Sequence, residues 1–184
     1  MCVIGLSSPP IVIHPSFAVN PPVFYGPFAE GFTLPTPNYG ALSTALYIYR
    51  LLTPSGQYPW FAAYADVRDI AKAHVLALTS PPTSVVGRKR ILFASPHGMD
   101  FKAVIENIAD KRPELKGRLI EEVVPEYSVD RLPVDFTRIE EVLGLKKQEY
   151  IGLERTILDT VDSLLEIEKV WVSKGYAIEI PRAE

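Results

Sequence analysis

The period of the apolar residues changes within Tyr64 to Leu78, and that change predicts a short strand running directly into a helix. Phe61, Ala63 and Ala65 alternate with Ala62 and Tyr64, the two-residue repeat of a strand. From Val67 the apolar face continues at Ile70, Ala71, His74 and Leu78, the spacing of one side of a helix. Asp66 stands where its carboxylate accepts free N–H groups of the first turn, and Asp69 adds negative charge near the positive end of the helix dipole.

The same reading extends along the chain. Ile11 to Ile13 and Phe17 to Val19 are brief strands separated by His14-Pro15, and the segment from Pro21 to Pro27 is a loop leaving the end of the second. Leu42, Ala45, Leu46, Tyr49 and Leu52 predict a helix over Ala41 to Leu52, halted by Pro54 and Gly56. Pro81-Pro82 end the helix that begins at Val67, and Ile91 to Ala94 form a buried strand. Asp100 caps a helix with Phe101, Val104, Ile105 and Ile108 inside, ended by Pro113, and Arg118 to Val124 form a further strand. Asp135 caps a short helix carrying Ile139, Val142 and Leu143, closed by Gly144. Leu153, Ile157, Val161, Leu164 and Trp171 line the last and longest helix. There is no internal repeat.

Composition narrows the function classes. With 184 residues, 47% hydrophobic and 22% charged, the chain can bury one sizeable core, so residues 1–184 are expected to form a single domain. A net charge of -3 with scattered Lys and Arg argues against nucleic acid as a partner. The single cysteine, Cys2, makes no disulfide framework and no metal-ligand spacing, which is compatible with a cytoplasmic protein. The opening MCVIGLSSPP lacks the pattern of a secretory signal, and no apolar run reaches the ~20 residues of a membrane span, so no membrane partner is expected. Many of the 17 prolines fall in the first third, which must hold much loop.

Several polar groups invite chemistry and have plain structural readings beside it. His74 with Asp66, Arg68 and Asp69 suggests an acid–base cluster, but a core histidine beside an Arg68–Asp69 ion pair accounts for the same residues. His14 and His97 lie beside prolines and form no helical pair, so no metal site is expected. Arg88-Lys89-Arg90 reads as a solvated strand entrance more readily than as a phosphate grip. No Gly-x-Ser-x-Gly elbow supports a hydrolase. The aromatic residues between Phe24 and Phe61 either line a pocket or pack the core.

Three segments, taken in order, resemble the C-terminal half of the extended short-chain dehydrogenase/reductase family, within the NAD-dependent epimerase/dehydratase superfamily. Asn20-Pro21-Pro22-Val23-Phe24-Tyr25-Gly26-Pro27 is similar to the family's Asn-Pro-x-x-Val-x-Gly-Pro loop, and Tyr64 to Leu78 to its Val-Asp-Val-Arg-Asp-Val-Ala-x-Ala-His strand and helix. Val134 through Gly144 and on into LERTILDTVDSLLEIEK resembles its closing helices, particularly those of cinnamoyl-CoA, dihydroflavonol and fungal ketone or aldehyde reductases.

The resemblance implies an α/β fold: an incomplete Rossmann-like substrate-binding region, a small sheet with several helices, without the N-terminal dinucleotide-binding strands. The family's glycine-rich fingerprint and Tyr-x-x-x-Lys pair are absent from this sequence; Tyr25, Tyr47, Tyr58 and Tyr127 are followed four residues on by Ala29, Leu51, Ala62 and Arg131. By position, Pro21, Pro22, Val23, Ser43 and Thr44 correspond to cofactor-contacting residues, and Phe24, Tyr25, Phe28, Tyr47 and Trp60 to a substrate-binding wall. The resemblance implies a truncated reductase-derived protein that binds an apolar or aromatic small molecule and does not transfer hydride unaided. No cofactor is expected, NADP entering only if an N-terminal half is supplied. A stand-alone non-redox catalyst of cyclase or isomerase type, or a non-catalytic partner subunit, is the alternative. Exposed strand edges predict a homo-oligomer.

Overall fold

The structure, a computed structural model, describes residues 17–127 and 131–182. The expected strand at Ile11 to Ile13 and His14 lie outside the described residues. Among the described residues, four three-residue strands and six α-helices follow in the order β1 (Ala18–Asn20), β2 (Val23–Tyr25), α1 (Ala45–Arg50), β3 (Tyr64–Asp66), α2 (Val67–Ala77), α3 (Thr83–Val86), β4 (Arg90–Leu92), α4 (Phe101–Lys111), α5 (Phe136–Leu143) and α6 (Leu153–Ser173). The strands form two parallel pairs: β1 lies on β4 with Ala18 opposite Arg90, and β2 lies on β3 with Val23 opposite Tyr64. Parallel pairing requires long crossovers, and helices supply much of the chain that makes them.

Val23 to Tyr25 is a strand rather than part of a loop. Pro21 and Pro22 limit where it begins without interrupting it, and its three residues pair along β3 while Val23 and Tyr25 turn inward and Phe24 outward. The expected helix over Ala41 to Leu52 breaks in two: a 3₁₀ turn, Tyr39–Leu42, precedes α1, and between them Ser43 takes a positive φ of 50°. That left-handed residue stops one ladder before the next begins. Arg118 to Val124 forms no strand; its start is held instead by N–H bonds from Ile120 to the Leu51 carbonyl (3.0 Å) and from Glu121 to that of Pro54 (3.2 Å).

The junction at Asp66 forms as the sequence predicts, with the Asp66 side chain accepting the Arg68 N–H as N-cap of α2. The face that α2 buries does not. Asp69 and Ala73 are inside, whereas Ala71, His74 and Leu78 are exposed, because β3 enters α2 with no turn between them and so fixes the helix's rotation. His74 is therefore a surface histidine whose Nδ1 meets the Ile70 carbonyl at 2.8 Å, not a core residue. Arg68 pairs with Asp66 and Asp159 rather than Asp69, and the Asp69 carboxylate instead accepts the Ile151 N–H at 3.0 Å. The basic triplet is no uniform solvated face either: Lys89 is buried between exposed Arg88 and Arg90, its Nζ 3.3 Å from the Ser80 carbonyl.

Two apolar clusters result. One joins Tyr25, Ile48, Tyr49, Phe101, Ile108, Val161, Leu164 and Trp171 between α1, α4 and α6. The other joins Ile91, Phe93, Ile139, Val142 and Leu145 around β4 and α5. Helix α5 is capped by Asp135 and closed by Gly144 at φ 69°, ψ 9°, the left-handed geometry that glycine adopts without steric cost.

Candidate functional site

The segment after β2 brings part of the expected site together. Phe24, Tyr25 and Phe28 share a cleft of about 110 Å³ with Ser43 and Thr44, floored by Val67. The Thr44 hydroxyl donates to the Phe24 carbonyl at 2.6 Å, so it ties the helix start to the strand and its hydrogen is committed. Gly26 makes the bend possible. It has φ 135°, and a Cβ there would stand 2.7 Å from Val67 Cγ1.

The remaining expected positions lie elsewhere. Pro21 and Pro22, half-buried, and Val23, buried, occupy the turn and strand before the cleft and do not line it. Tyr47 packs edge-on to Phe61 at 6.2 Å under the Arg50 guanidinium, and Trp60 stands 82% exposed against Phe61.

A larger groove of about 450 Å³ opens on the other side of Phe28. Phe28 stacks on Phe32 at 4.6 Å, and Leu34, Ile167 and Val170 continue the apolar wall. Three of its polar side chains are engaged: Ser163 accepts the Phe28 N–H, Glu166 pairs with Lys169, and Lys174 donates to the Pro35 carbonyl, while the Thr33 hydroxyl is exposed at the rim. Phe28 and Phe32 belong to the aromatic set that the sequence offered as a pocket lining, whereas Leu34 and the α6 residues Ile167 and Val170, which lie outside the apolar stripe read from the sequence, were not predicted as lining residues.

A polar network that the sequence did not reveal fixes this region against α6. Asp66 accepts both Nε and Nη2 of Arg68, at 2.9 and 2.8 Å, together with the Thr156 hydroxyl at 2.7 Å. Arg68 also reaches Asp159. Thr160 accepts the Gly26 N–H at 2.8 Å and donates to the Thr156 carbonyl. The available signal was the pair Thr156 and Thr160, two polar residues four apart on the otherwise apolar face of α6.

The surroundings hold two titratable groups of this region, Asp66 and Tyr25, each in one protonation state near neutral pH. Burial works to raise the Asp66 carboxyl pKa, but donors from Arg68 and Thr156 outweigh it and hold the group below its ordinary value. In the smaller cleft Tyr25 is the one titratable side chain, and burial, reinforced by Tyr47 and Tyr127, pushes its phenol well above the usual range. It keeps its proton throughout the physiological range. The start of α1 borders this cleft through Thr44 and Ala45, but the cleft itself encloses only about 110 Å³, below the roughly 300–1,000 Å³ of ligand pockets. Among the described residues no group of three His, Cys, Asp or Glu side chains could hold a metal, and no helix is long and apolar enough to cross a membrane.

No family profile and no curated protein matches the chain. Solved structures do. Gre2 from Candida albicans is 27% identical with a TM-score of 0.56, over 82% of this chain and 44% of that one. The Candida albicans Gre2–NADPH complex is 26% identical with a TM-score of 0.53, over 81% and 43%. The yeast methylglyoxal/isovaleraldehyde reductase Gre2 complexed with NADPH, 24% identical with a TM-score of 0.53 over 83% and 47%, shares the fold. The chain spans less than half the length of these structures. Its fold is thus similar to that of Rossmann-like, NADPH-dependent short-chain reductases, and the α/β expectation holds at that level.

Proposed function

We propose that this chain binds an apolar or aromatic small molecule along the Phe28 wall, as the ligand-holding portion of a fold of short-chain reductase type, and that it does not transfer hydride by itself. The observation that carries the reading is the 450 Å³ groove beside the stacked Phe28 and Phe32 rings, mostly apolar in its lining and with Ser163, Glu166 and Lys174 already bonded to the protein. Such a wall gains from burying an apolar ligand and offers little to a polar one. The likeness to NADPH-dependent reductases supports descent from such an enzyme, while the missing glycine-rich fingerprint and Tyr-x-x-x-Lys pair leave these residues without a phosphate cradle or a proton donor. A cyclase or isomerase reading is less favoured, because the groove's carboxylate and ammonium, Glu166 and Lys174, stand at its solvent-exposed rim and are already paired with Lys169 and the Pro35 carbonyl.

Two titrations test the reading. Isovaleraldehyde, followed by amide chemical shifts, is expected to perturb Phe28, Phe32, Leu34 and Val170 saturably. NADPH, followed by its fluorescence, is expected to show no saturation up to ~100 μM, where a complete dinucleotide site would bind. Saturable micromolar NADPH binding, or aldehyde shifts spread evenly over the surface, would overturn it.

A further inference from the structure

We propose that a second cavity, sharing no lining residue with either cleft, binds a small oxyanion: the phosphate or carboxylate group of a soluble compound. It lies between the entry to β3, the exit of β4 and the chain leading into α5, and it encloses about 100 Å³. That is far more than the roughly 10–15 Å³ one water needs and is enough for a group of several heavy atoms.

The lining is one-sided in charge. Arg131 and Lys147 supply positive charge beside the His97 ring, and among the described residues no carboxylate faces it, although acidic residues outnumber Lys and Arg 22 to 19 in the whole chain. Neither Arg131 nor Lys147 has an ion-pair partner among the described residues. Both are nevertheless positioned. The Lys147 ammonium stands 5.1 Å from the Phe136 ring centroid, and the Arg131 guanidinium lies against Gly98, where a Cβ would come within 3.3 Å of Nη2 and 3.4 Å of Nε. Gly98 leaves the room that the guanidinium uses.

An independent observation marks the interior of the same cavity. Tyr64, 1% exposed, lines it, and its hydroxyl is buried without a well-formed hydrogen bond. Burial pushes this phenol up to about 12, the nearby Ser95 hydroxyl offsetting only part of the effect, so at neutral pH it is a donor in want of an acceptor. Ser95 adds another donor: its Oγ accepts the His97 N–H at 3.1 Å, and its own hydrogen, which turns toward the Tyr64 oxygen, is free to turn to an entering oxyanion. The Ser95 N–H bonds the Tyr64 carbonyl at 2.7 Å and locks the two walls together. Two hydroxyl donors inside and cations at the mouth form a complement to an oxyanion, whose oxygens accept from both.

The test is a titration of the whole chain with inorganic phosphate and, separately, acetate, each against sodium chloride at equal ionic strength, read by melting temperature and by the Ser95 and His97 amide shifts. Saturable binding in the millimolar range is expected. The exposed pair R131Q/K147Q should bind at least about tenfold more weakly with an unchanged unliganded melting temperature. Tyr64→Phe should bind about threefold more weakly while melting at the same or a higher temperature, since it deletes an unpaired buried hydroxyl. Preference for phosphate assigns the site to phosphorylated compounds, and preference for acetate to carboxylic acids. Shifts no larger than those from chloride, or binding unweakened by either variant, would overturn the proposal.

Discussion

Thr160, buried on α6, receives the N–H of Gly26 at 2.8 Å across most of the chain's length, and this one bond seats the bend after β2 on the last helix. Thr160→Val keeps the shape and removes the acceptor, leaving a buried amide unpaired. The expected loss is about 1–3 kcal/mol, read as a lower urea midpoint at unchanged slope, with Thr160→Ser retaining most of the stability. Gly26→Ala should cost at least as much, because the new Cβ meets Val67 Cγ1 at 2.7 Å in a backbone that side chains rarely adopt.

Asp66 and Asp69, one turn apart, titrate in opposite senses. The Asp66 pKa lies below 3.8 when folded, so its contribution is fully present above the unfolded value and is lost as pH falls through the lower folded one. The Asp69 carboxyl, raised by burial and by the Asp66 charge against the Ile151 N–H, contributes below the unfolded value and loses that contribution as pH rises through its folded pKa. Asp66→Asn should therefore destabilise by about 2–3 kcal/mol at pH 7, with the difference from wild type shrinking below pH 4. Asp69→Asn, which keeps an oxygen for Ile151, should be neutral or slightly stabilising at pH 7. Denaturant midpoints between pH 3 and 8 check both signs.

Phe28 separates the two clefts, so Phe28→Ala should weaken isovaleraldehyde binding about tenfold, a loss of about 1.4 kcal/mol. Trp60 is 82% exposed and lines neither, so Trp60→Ala should leave that affinity unchanged and shift stability by no more than about 0.5 kcal/mol. Equal losses from both changes would remove Phe28 from the site. Acrylamide should also quench Trp60 freely and spare Trp171, which is fully buried with its indole N–H on the Leu34 carbonyl.

Among the described residues each strand pair leaves outer edges without ladder bonds, and Phe24, Leu92 and Trp60 keep apolar surface in water. Self-association covers such surface. Light scattering at micromolar concentration is expected to give twice the chain mass or more, and a monomeric mass would count against it.

What the sequence disclosed was what local chemistry decides. Asp66, Asp100 and Asp135 each cap the helix they were expected to cap, and Gly144 closes α5, because a cap is settled between residues two or three apart. The long stripe of α6 was legible for the same reason. What stayed hidden depends on distant partners. Which side of α2 is buried follows from β3, so the apolar spacing at His74 and Leu78 misled. The break at Ser43 and the pairing of β2 with β3 have no local signal in a proline-rich segment. At the candidate site, the structure places Phe24, Tyr25 and Phe28 in one cleft with Ser43 and Thr44, and it adds to Phe28 and Phe32 in the larger groove a wall of Leu34, Ile167 and Val170, which tertiary packing on α6 brings there and local sequence does not announce.

The two strand pairs are nested: β2 and β3 join inside the span that separates β1 from β4. Closing the inner pair first draws in the chain between them and shortens the loop that the outer pair must close, so the entropic cost is met in two smaller steps. Both pairings are non-local, and neither can start from a hairpin. The order of assembly is thereby written into the connectivity, and the chain should fold slowly for one so rich in helix, with the Val19–Ile91 pairing among the last to acquire protection from hydrogen exchange.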